Sequence, residues 1–331
     1  MTPLLELKHI SKRFEKKLDA AGRIAKKFGA SLADEVVHAV DDVSLTIHQG
    51  EVVGLVGESG CGKSTLGRIV VGLHQPSSGE KIWRGKPVSD MSGTEKRAMQ
   101  LAGQMIFQDP YASLNPRLRV EDIIGEAPVV HGLIQAHEKS QYVAALMEKV
   151  GLDASLSRRF PHQFSGGQRA RIGIARALAV KPGFIVCDEA VAALDVSIQA
   201  QVLNLFIALR EELRLTYLFI SHDLGVVQHV SDRVVVMYLG RIVEEGQTEA
   251  IFASPNHPYT QALLKEVPSL AVRKKDFVAV KGEIPSPLNP PTGCHFHPRC
   301  PHAMARCTEV APPLKQIAPL RYAACHLNSD T

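Results

Sequence analysis

The sequence has no apolar run long enough to cross a bilayer, a span that takes about 20 residues. Its first residues, Met1-Thr2-Pro3-Leu4-Leu5-Glu6, lack the basic-then-apolar pattern of a secretion signal. Such a chain is expected in the cytosol; if it works at a membrane, another protein holds it there. An excess of one charge is missing too. The 38 Lys and Arg against 34 Asp and Glu leave a net charge of +4, too little to argue for nucleic acid. Cysteine is scarce before residue 294, where only Cys61 and Cys187 occur. There is no tandem duplication and no long coiled-coil insertion. What is present is ordinary for a folded globular protein: 45% hydrophobic and 22% charged residues. A length of 331 residues is too much for one ordinary core and fits two or three compact units.

One segment sets the ligand class. Gly57-Glu58-Ser59-Gly60-Cys61-Gly62-Lys63-Ser64-Thr65 fits G-x-x-x-x-G-K-[ST] at every fixed position and follows the apolar run Val52–Val56. Backbone N–H groups of such a loop, with the N-terminus of the next helix, cradle anionic phosphate. Lys63 is expected to reach the β- and γ-phosphates, and Ser64 to hold Mg²⁺. The ligand is therefore a nucleoside triphosphate. The loop alone does not separate a kinase from a GTPase or a motor ATPase.

Around the loop the chain alternates. Leu5–Ile10 and Val43–Ile47 read as half-buried strands. Residues 15–37, rich in charge and alanine, read as a helical or mobile insertion. Pro76–Gly79 is a turn. Residues 119–160 carry helical patterns, including Tyr142–Val150. From Phe184 on, strands (Phe184–Cys187, Tyr217–Ile220, Val234–Met237) alternate with helices (Ile198–Leu213, and one after Asp223). That order predicts parallel strands flanked by helices. Gly282–Pro291, with four prolines, reads as a linker.

Phe184-Ile185-Val186-Cys187-Asp188-Glu189 is a buried strand that delivers two acids to the carboxyl edge of the sheet. Asp188 suits the Mg²⁺ shell, and Glu189 is placed to orient and polarise an attacking water. Ser165-Gly166-Gly167-Gln168 precedes a helical run at Ile172–Val180 and forms a second anion-binding N-terminus; alone, such a segment is ordinarily a helix cap. Phe107-Gln108-Asp109, Ala193-Leu194-Asp195 and Ser221-His222-Asp223 each stand at a strand end or a helix start.

Taken together, these motifs strongly resemble the ATP-binding subunits of ABC transporters over roughly residues 4–330. In family terms they are the Walker A loop (Gly57–Thr65), Q-loop (Gln108), signature (Ser165–Gln168), Walker B strand (Phe184–Asp188), catalytic Glu189, D-loop (Ala192–Asp195) and H-loop (His222). The resemblance implies an α/β fold: a P-loop NTPase ABC ATPase core with an antiparallel β subdomain, an inserted helical subdomain and a small Cys-rich C-terminal tail. The ATPase domain is expected over 1–265, with the helical subdomain at about 110–180, and the extension over 266–331. It implies catalysis by Glu189, His222, Gln108 and Lys63, adenine stacking on Phe14, and Mg²⁺ held by Ser64, Gln108 and Asp188. Asp195 and the signature serve the ATP site across a dimer.

The likeness extends to the dipeptide/oligopeptide import branch. Phe107-Gln108-Asp109-Pro110-Tyr111-Ala112-Ser113-Leu114-Asn115-Pro116-Arg117 is similar to that branch's extended Q-loop, and Asn256–Leu264 and Gly282–Pro287 to its C-terminal segments. This implies a sister ATPase, two membrane permease subunits, an indirect link to a separate substrate-binding protein, and no nucleic acid. The place implied is the cytoplasmic face of the cell (inner) membrane. Two departures stand out: Ala190 where the family usually has proline, and Ala192 where it usually has serine. They leave a weakly hydrolysing regulatory subunit as one alternative; a soluble ABC ATPase acting on nucleic acid or ribosomes is another.

Four cysteines end the chain: Cys294, Cys300, Cys307 and Cys325. In a reducing cytosol, clustered cysteines point to metal more than to disulfides. Four thiolates suit zinc or an iron–sulfur cluster, and the spacing is wider than the C-x₂₋₄-C of ordinary zinc modules. Resemblance to the peptide-import branch points to a [4Fe-4S] cluster. Cys61 and Cys187 read as small buried fillers, and His295, His297, His302 and His326 as surface or packing residues.

Overall fold

A computed structural model of the protein describes residues 2–16, 35–109, 112–265 and 282–328. The insertion read over 15–37 falls mostly outside them, as do Pro110 and Tyr111. At its edges the expectation is corrected: residues 15–16 and 35–37 are strand, because they continue an antiparallel pair.

That pair, β1 (Pro3–Lys16) and β2 (Glu35–His48), runs from Pro3↔His48 to Lys16↔Glu35 with register shifts between Pro3 and Arg13. Next comes β3 (Val52–Val56), buried at all five positions, as strands covered on both faces are. β4 (Ser78–Trp83) and β5 (Lys86–Pro87) complete a four-stranded antiparallel sheet in the order β2-β1-β4-β5. The second sheet holds β3 together with β6 (Gly103–Ile106), β7 (Phe184–Asp188), β8 (Thr216–Ile220), β9 (Arg233–Tyr238), β10 (Arg241–Gln247), β11 (Lys315–Ala318) and β12 (Arg321–Ala323). Its order is β11-β12-β10-β9-β3-β8-β7-β6. β9, β3, β8, β7 and β6 are parallel, and β10, β12 and β11 are added antiparallel.

Parallel strands need crossovers, and the crossovers here are helices. The one from β3 is the helix Lys63–Val70, which buries Leu66 and Ile69 in the core between the two sheets. The longest crossover, from β6 to β7, contains the helices Val120–Val130, Lys139–Lys149 and Gly166–Leu178. These bury Ile124, Val143, Met147 and Ile172 against one another, a helical core joined to that of the sheet.

Buried charges staple the layers. Arg233 on β9 donates from Nε to Glu51 Oε1 at 2.7 Å and from Nη2 to the Thr46 carbonyl of β2 at 2.5 Å, and it also pairs with Glu245 of β10. A buried guanidinium without such partners is strongly destabilising. Glu244, fully buried on β10, accepts from the Asn256 and His257 N–H groups at 2.8 Å and from Arg321 at 3.1 Å. The tail is thus tied to the sheet by β12, through Glu244↔Ala323, and by this carboxylate.

Candidate functional site

Parallel sheets present ligand sites at the carboxyl ends of their strands, and the predicted residues cluster there. The loop after β3 has left-handed backbone at Gly57 (φ 151°), Gly60 (79°) and Gly62 (103°). At two of these glycine is obligatory. A Cβ on Gly57 meets the Met237 carbonyl at 2.1 Å, and one on Gly62 meets the Ala39 carbonyl at 2.0 Å. Gly62 opens the helix Lys63–Val70, whose free N–H groups point to the loop's concavity. Ser59 and Gly60 are exposed, Glu58 is half-buried, and Cys61 is buried.

Lys63 is 4% exposed; its Nζ donates to the carbonyls of Gly57 (2.7 Å) and Glu58 (3.0 Å). The ammonium therefore rests on the carbonyls of its own loop. Ser64 Oγ donates to Asp188 Oδ1 at 2.8 Å, bringing the two expected Mg²⁺ ligands together from the helix and from β7. Burial holds the Asp188 carboxyl above the usual carboxylate range, and the Ser64 hydrogen bond and the Arg68 charge offset only part of that rise. A buried carboxylate beside a hydroxyl is a hard-oxygen donor set, which fits Mg²⁺.

Glu189 follows at the end of β7 with a left-handed backbone (φ 48°), rare outside glycine. Its N–H is held by the Ile220 carbonyl at 3.0 Å. Gln108 Nε2 donates to Glu189 Oε2 at 2.7 Å, and His222 Nδ1 lies 3.3 Å from the same oxygen. Two residues, from the ends of β6 and β8, therefore converge on one carboxylate oxygen of Glu189 at the end of β7.

Other expected residues stand apart from this cluster. Ser165 caps the helix Gly166–Leu178: its Oγ accepts from the Gln168 N–H at 3.3 Å, and Gln168 Oε1 accepts from the Ser165 N–H at 3.0 Å. Gly166 and Gly167 form the first turn. Asp195 is exposed, before Val196, which is 83% exposed. Phe14, 39% exposed on β1, meets the edge of His74 at 5.6 Å with Lys12 Nζ 5.1 Å over its ring.

In the tail, Cys294 N–H donates to the Cys307 carbonyl at 2.8 Å. Burial pushes the Cys294 thiol up to about 11, and the Cys307, Cys325 and Cys300 sulfurs push it the same way. Cys300 and Cys325 are also raised, by burial first and by neighbouring sulfurs next. Among the described residues no group of three or more His, Cys, Asp or Glu is placed to hold a metal ion. His295, His297 and His326 bind the carbonyls of Leu239, Cys294 and Val310 at 2.9, 2.9 and 2.8 Å. Cys61 and Cys187 are buried, and burial raises both thiols. Two residues without an assigned role in the sequence, Tyr259 and Arg299, touch the phosphate loop through Glu58.

Comparison with known proteins gives two family matches: "ABC transporter" over residues 40–192 and "Oligopeptide/dipeptide transporter, C-terminal region" over residues 243–307. The oligopeptide transport ATP-binding protein AppF of Bacillus subtilis is 48% identical, covering 98% of both chains. The dipeptide transport ATP-binding protein DppF of Haemophilus influenzae is 47% identical over 90% of this chain and 92% of its own. Among solved structures, cbiO1 of Clostridium perfringens, part of the ABC transporter complex cbiONQ, superposes with a TM-score of 0.62 at 26% identity, covering 77% of this chain and 92% of that one. The ATP-binding cassette MJ0796, in a dimeric post-hydrolysis state bound to ADP and Pi, gives 0.61 at 27% identity, covering 74% and 98%.

Proposed function

The chain belongs to the ATP-binding proteins of ABC transporters, in their oligopeptide/dipeptide group, and we propose that it hydrolyses ATP to drive peptide import. What supports this reading is one chain that brings Ser64 onto Asp188 and Gln108 onto Glu189 beside a phosphate-loop motif and also matches the C-terminal region of the peptide-transport group. The loop N–H groups and Lys63 bind the β- and γ-phosphates, and Phe14 stacks on adenine. Ser64 and Asp188, with Gln108, would hold Mg²⁺, which when bound would neutralise phosphate charge. Glu189 orients the water that attacks the γ-phosphorus as the bond to the bridging oxygen breaks; Gln108 and His222 fix its carboxylate. The exposed Asp195 and the Ser165–Gln168 turn serve the ATP of a facing ATPase, so that ATP closes the pair and hydrolysis releases it. That partner is a sister chain, and two membrane permeases take up the motion. Specificity for cargo lies largely with a separate binding protein and the membrane subunits. We place the chain on the cytoplasmic face of the cell membrane; among the described residues no helix is long and apolar enough to cross it. The division into an ATPase domain over 1–265 and an extension over 266–331 is part of this reading.

The test is uptake. Deleting the gene abolishes ATP-dependent import of a labelled di- or oligopeptide, and the wild-type chain, but not Glu189→Gln, restores it. Restoration by Glu189→Gln, or uptake unaffected by the deletion, contradicts the assignment.

Ala190 and Ala192 favour a tuned turnover. Ala190 is buried and follows the left-handed Glu189, and the Ala192 N–H donates to the Glu189 carbonyl at 3.1 Å. Proline at 190 stiffens this turn. Ala190→Pro with Ala192→Ser is expected to change kcat of the assembled complex by about two- to fivefold, the size of a backbone-entropy effect. Unchanged turnover contradicts a role for these two residues.

For the tail we propose a [4Fe-4S] cluster on Cys294, Cys300, Cys307 and Cys325. The support is the four-cysteine spacing together with a partly buried tail in which Cys294 N–H donates to the Cys307 carbonyl and neighbouring sulfurs push the Cys294, Cys300 and Cys325 thiols up, although the four are not drawn into a ligand set among the described residues. A four-iron cube accepts thiolates farther apart than a single zinc ion does. Anaerobically purified protein is expected to contain iron and acid-labile sulfide, both lost in Cys300→Ser. Stoichiometric zinc, or neither metal, contradicts the cluster.

A further inference from the structure

The second residue of the phosphate loop is held from three sides. Glu58 Oε2 and Oε1 accept from Arg299 Nη1 and Nη2 at 2.7 and 2.9 Å, the two-pronged geometry that suits a carboxylate. The Glu58 N–H donates to Tyr259 Oη at 2.8 Å. The Glu58 carbonyl accepts from Lys63 Nζ at 3.0 Å. Two of these three holds come from the C-terminal part of the chain, and Arg299 lies 241 positions from Glu58.

The pair is largely shielded. The Arg299 side chain is 4% exposed and that of Glu58 20%, so salt screens it weakly. The guanidinium stands 5.8 Å from the Tyr238 ring centroid. Tyr238, Tyr259 and Phe296 pack together with centroids 4.6, 5.2 and 5.4 Å apart. This aromatic floor fixes where the fork points. Arg299 also stands beside Cys300, so the anchor and the thiol-bearing tail share a backbone turn.

Both partners bear on ATP. A loop with glycines at 57, 60 and 62 loses much conformational freedom when it orders around phosphate, and anchoring it beforehand reduces that loss. Glu58 also puts a negative charge into a phosphate site, and Arg299 neutralises it.

We infer that Arg299 and Glu58 form a brace through which the C-terminal region holds the phosphate loop in its ATP-receiving form. Arg299 is a positioning residue: it acts through Glu58. The inference rests on the ATP-binding reading of the loop. Gln108, Glu189 and His222 are not part of the brace, so its loss falls on affinity and not on turnover at saturation.

The experiment titrates a fluorescent ATP analogue with Mg²⁺ onto the full chain and onto Arg299→Gln, Glu58→Gln and the double variant. Each single change is expected to weaken binding about tenfold, or ~1.4 kcal/mol. The double variant is expected to bind no more weakly than either single one, because the same pair is lost once. In the assembled complex, Arg299→Gln raises KM for ATP while kcat stays within about twofold, the split that separates loop positioning from general damage. The brace is overturned if the parent binds and the single variants match it, or if their losses multiply in the double variant. If the parent itself fails to bind, the ATP reading fails first and takes the brace with it. Should Arg299→Gln not fold, Glu58→Gln decides alone, since its change is isosteric and on a half-exposed loop.

Discussion

Glu189→Gln is expected to lower kcat for ATP hydrolysis by about 10²–10⁴-fold while ATP binding survives, the range over which a positioned base contributes. The structure gives the reason. One Glu189 oxygen is gripped by Gln108 at 2.7 Å and faced by His222 at 3.3 Å, leaving the other oxygen to accept from a water. The amide keeps the shape and removes the charge that polarises that water. Lys63, Ser64 and the loop backbone are untouched, so nucleotide affinity is retained. Single-turnover hydrolysis alongside nucleotide titration checks both halves. A variant that still turns over within about tenfold of the parent moves the base to another residue.

The second large effect is on binding. Lys63→Ala is expected to weaken Mg-ATP binding by about 10²-fold or more, since each charge-assisted hydrogen bond is worth roughly 1.5–3 kcal/mol. At rest the ammonium is buried on the Gly57 and Glu58 carbonyls, at 2.7 and 3.0 Å. It therefore exchanges carbonyl dipoles for phosphate charge when ATP arrives, and the gain is large because the surroundings are poor in water. Removal also leaves those two carbonyls without their ammonium donor, so the empty loop loses order as well. Isothermal titration with ATP measures the loss; affinity near that of the parent contradicts a direct phosphate contact.

Both predictions rest on residues legible in the sequence, because their chemistry is local. Gly57–Thr65 and Phe184–Glu189 each lie in a few consecutive positions, and the strand before each is an unbroken apolar run. The helix ends were less sharp. The run read from Ile172 begins at Gly166, since the Ser165–Gln168 capping box starts it a turn and a half earlier. The strands of the tail carry no sequence signal, for a physical reason. β11 and β12 have four and three residues, too short to show a period of two; β11 pairs with β12, and β12 pairs with β10 some 80 positions away. Glu58 and Arg299 are invisible for the same reason. A glutamate inside a phosphate motif and an arginine inside a cysteine tail carry no mark of each other until the fold joins them. The left-handed backbone of Glu189 was equally hidden, because it comes from the turn that aims the carboxylate and not from any preference of glutamate.

The central claim is that this ATPase drives a peptide permease. The most direct test is to tag the Glu189→Gln chain, load it with ATP so that the closed pair accumulates, and identify what accompanies it from gently solubilised membranes. The account predicts two permease-like membrane proteins and a second ATPase of the same family in stoichiometric amounts. Ribosomal or DNA-associated proteins, with no membrane protein among them, would contradict it.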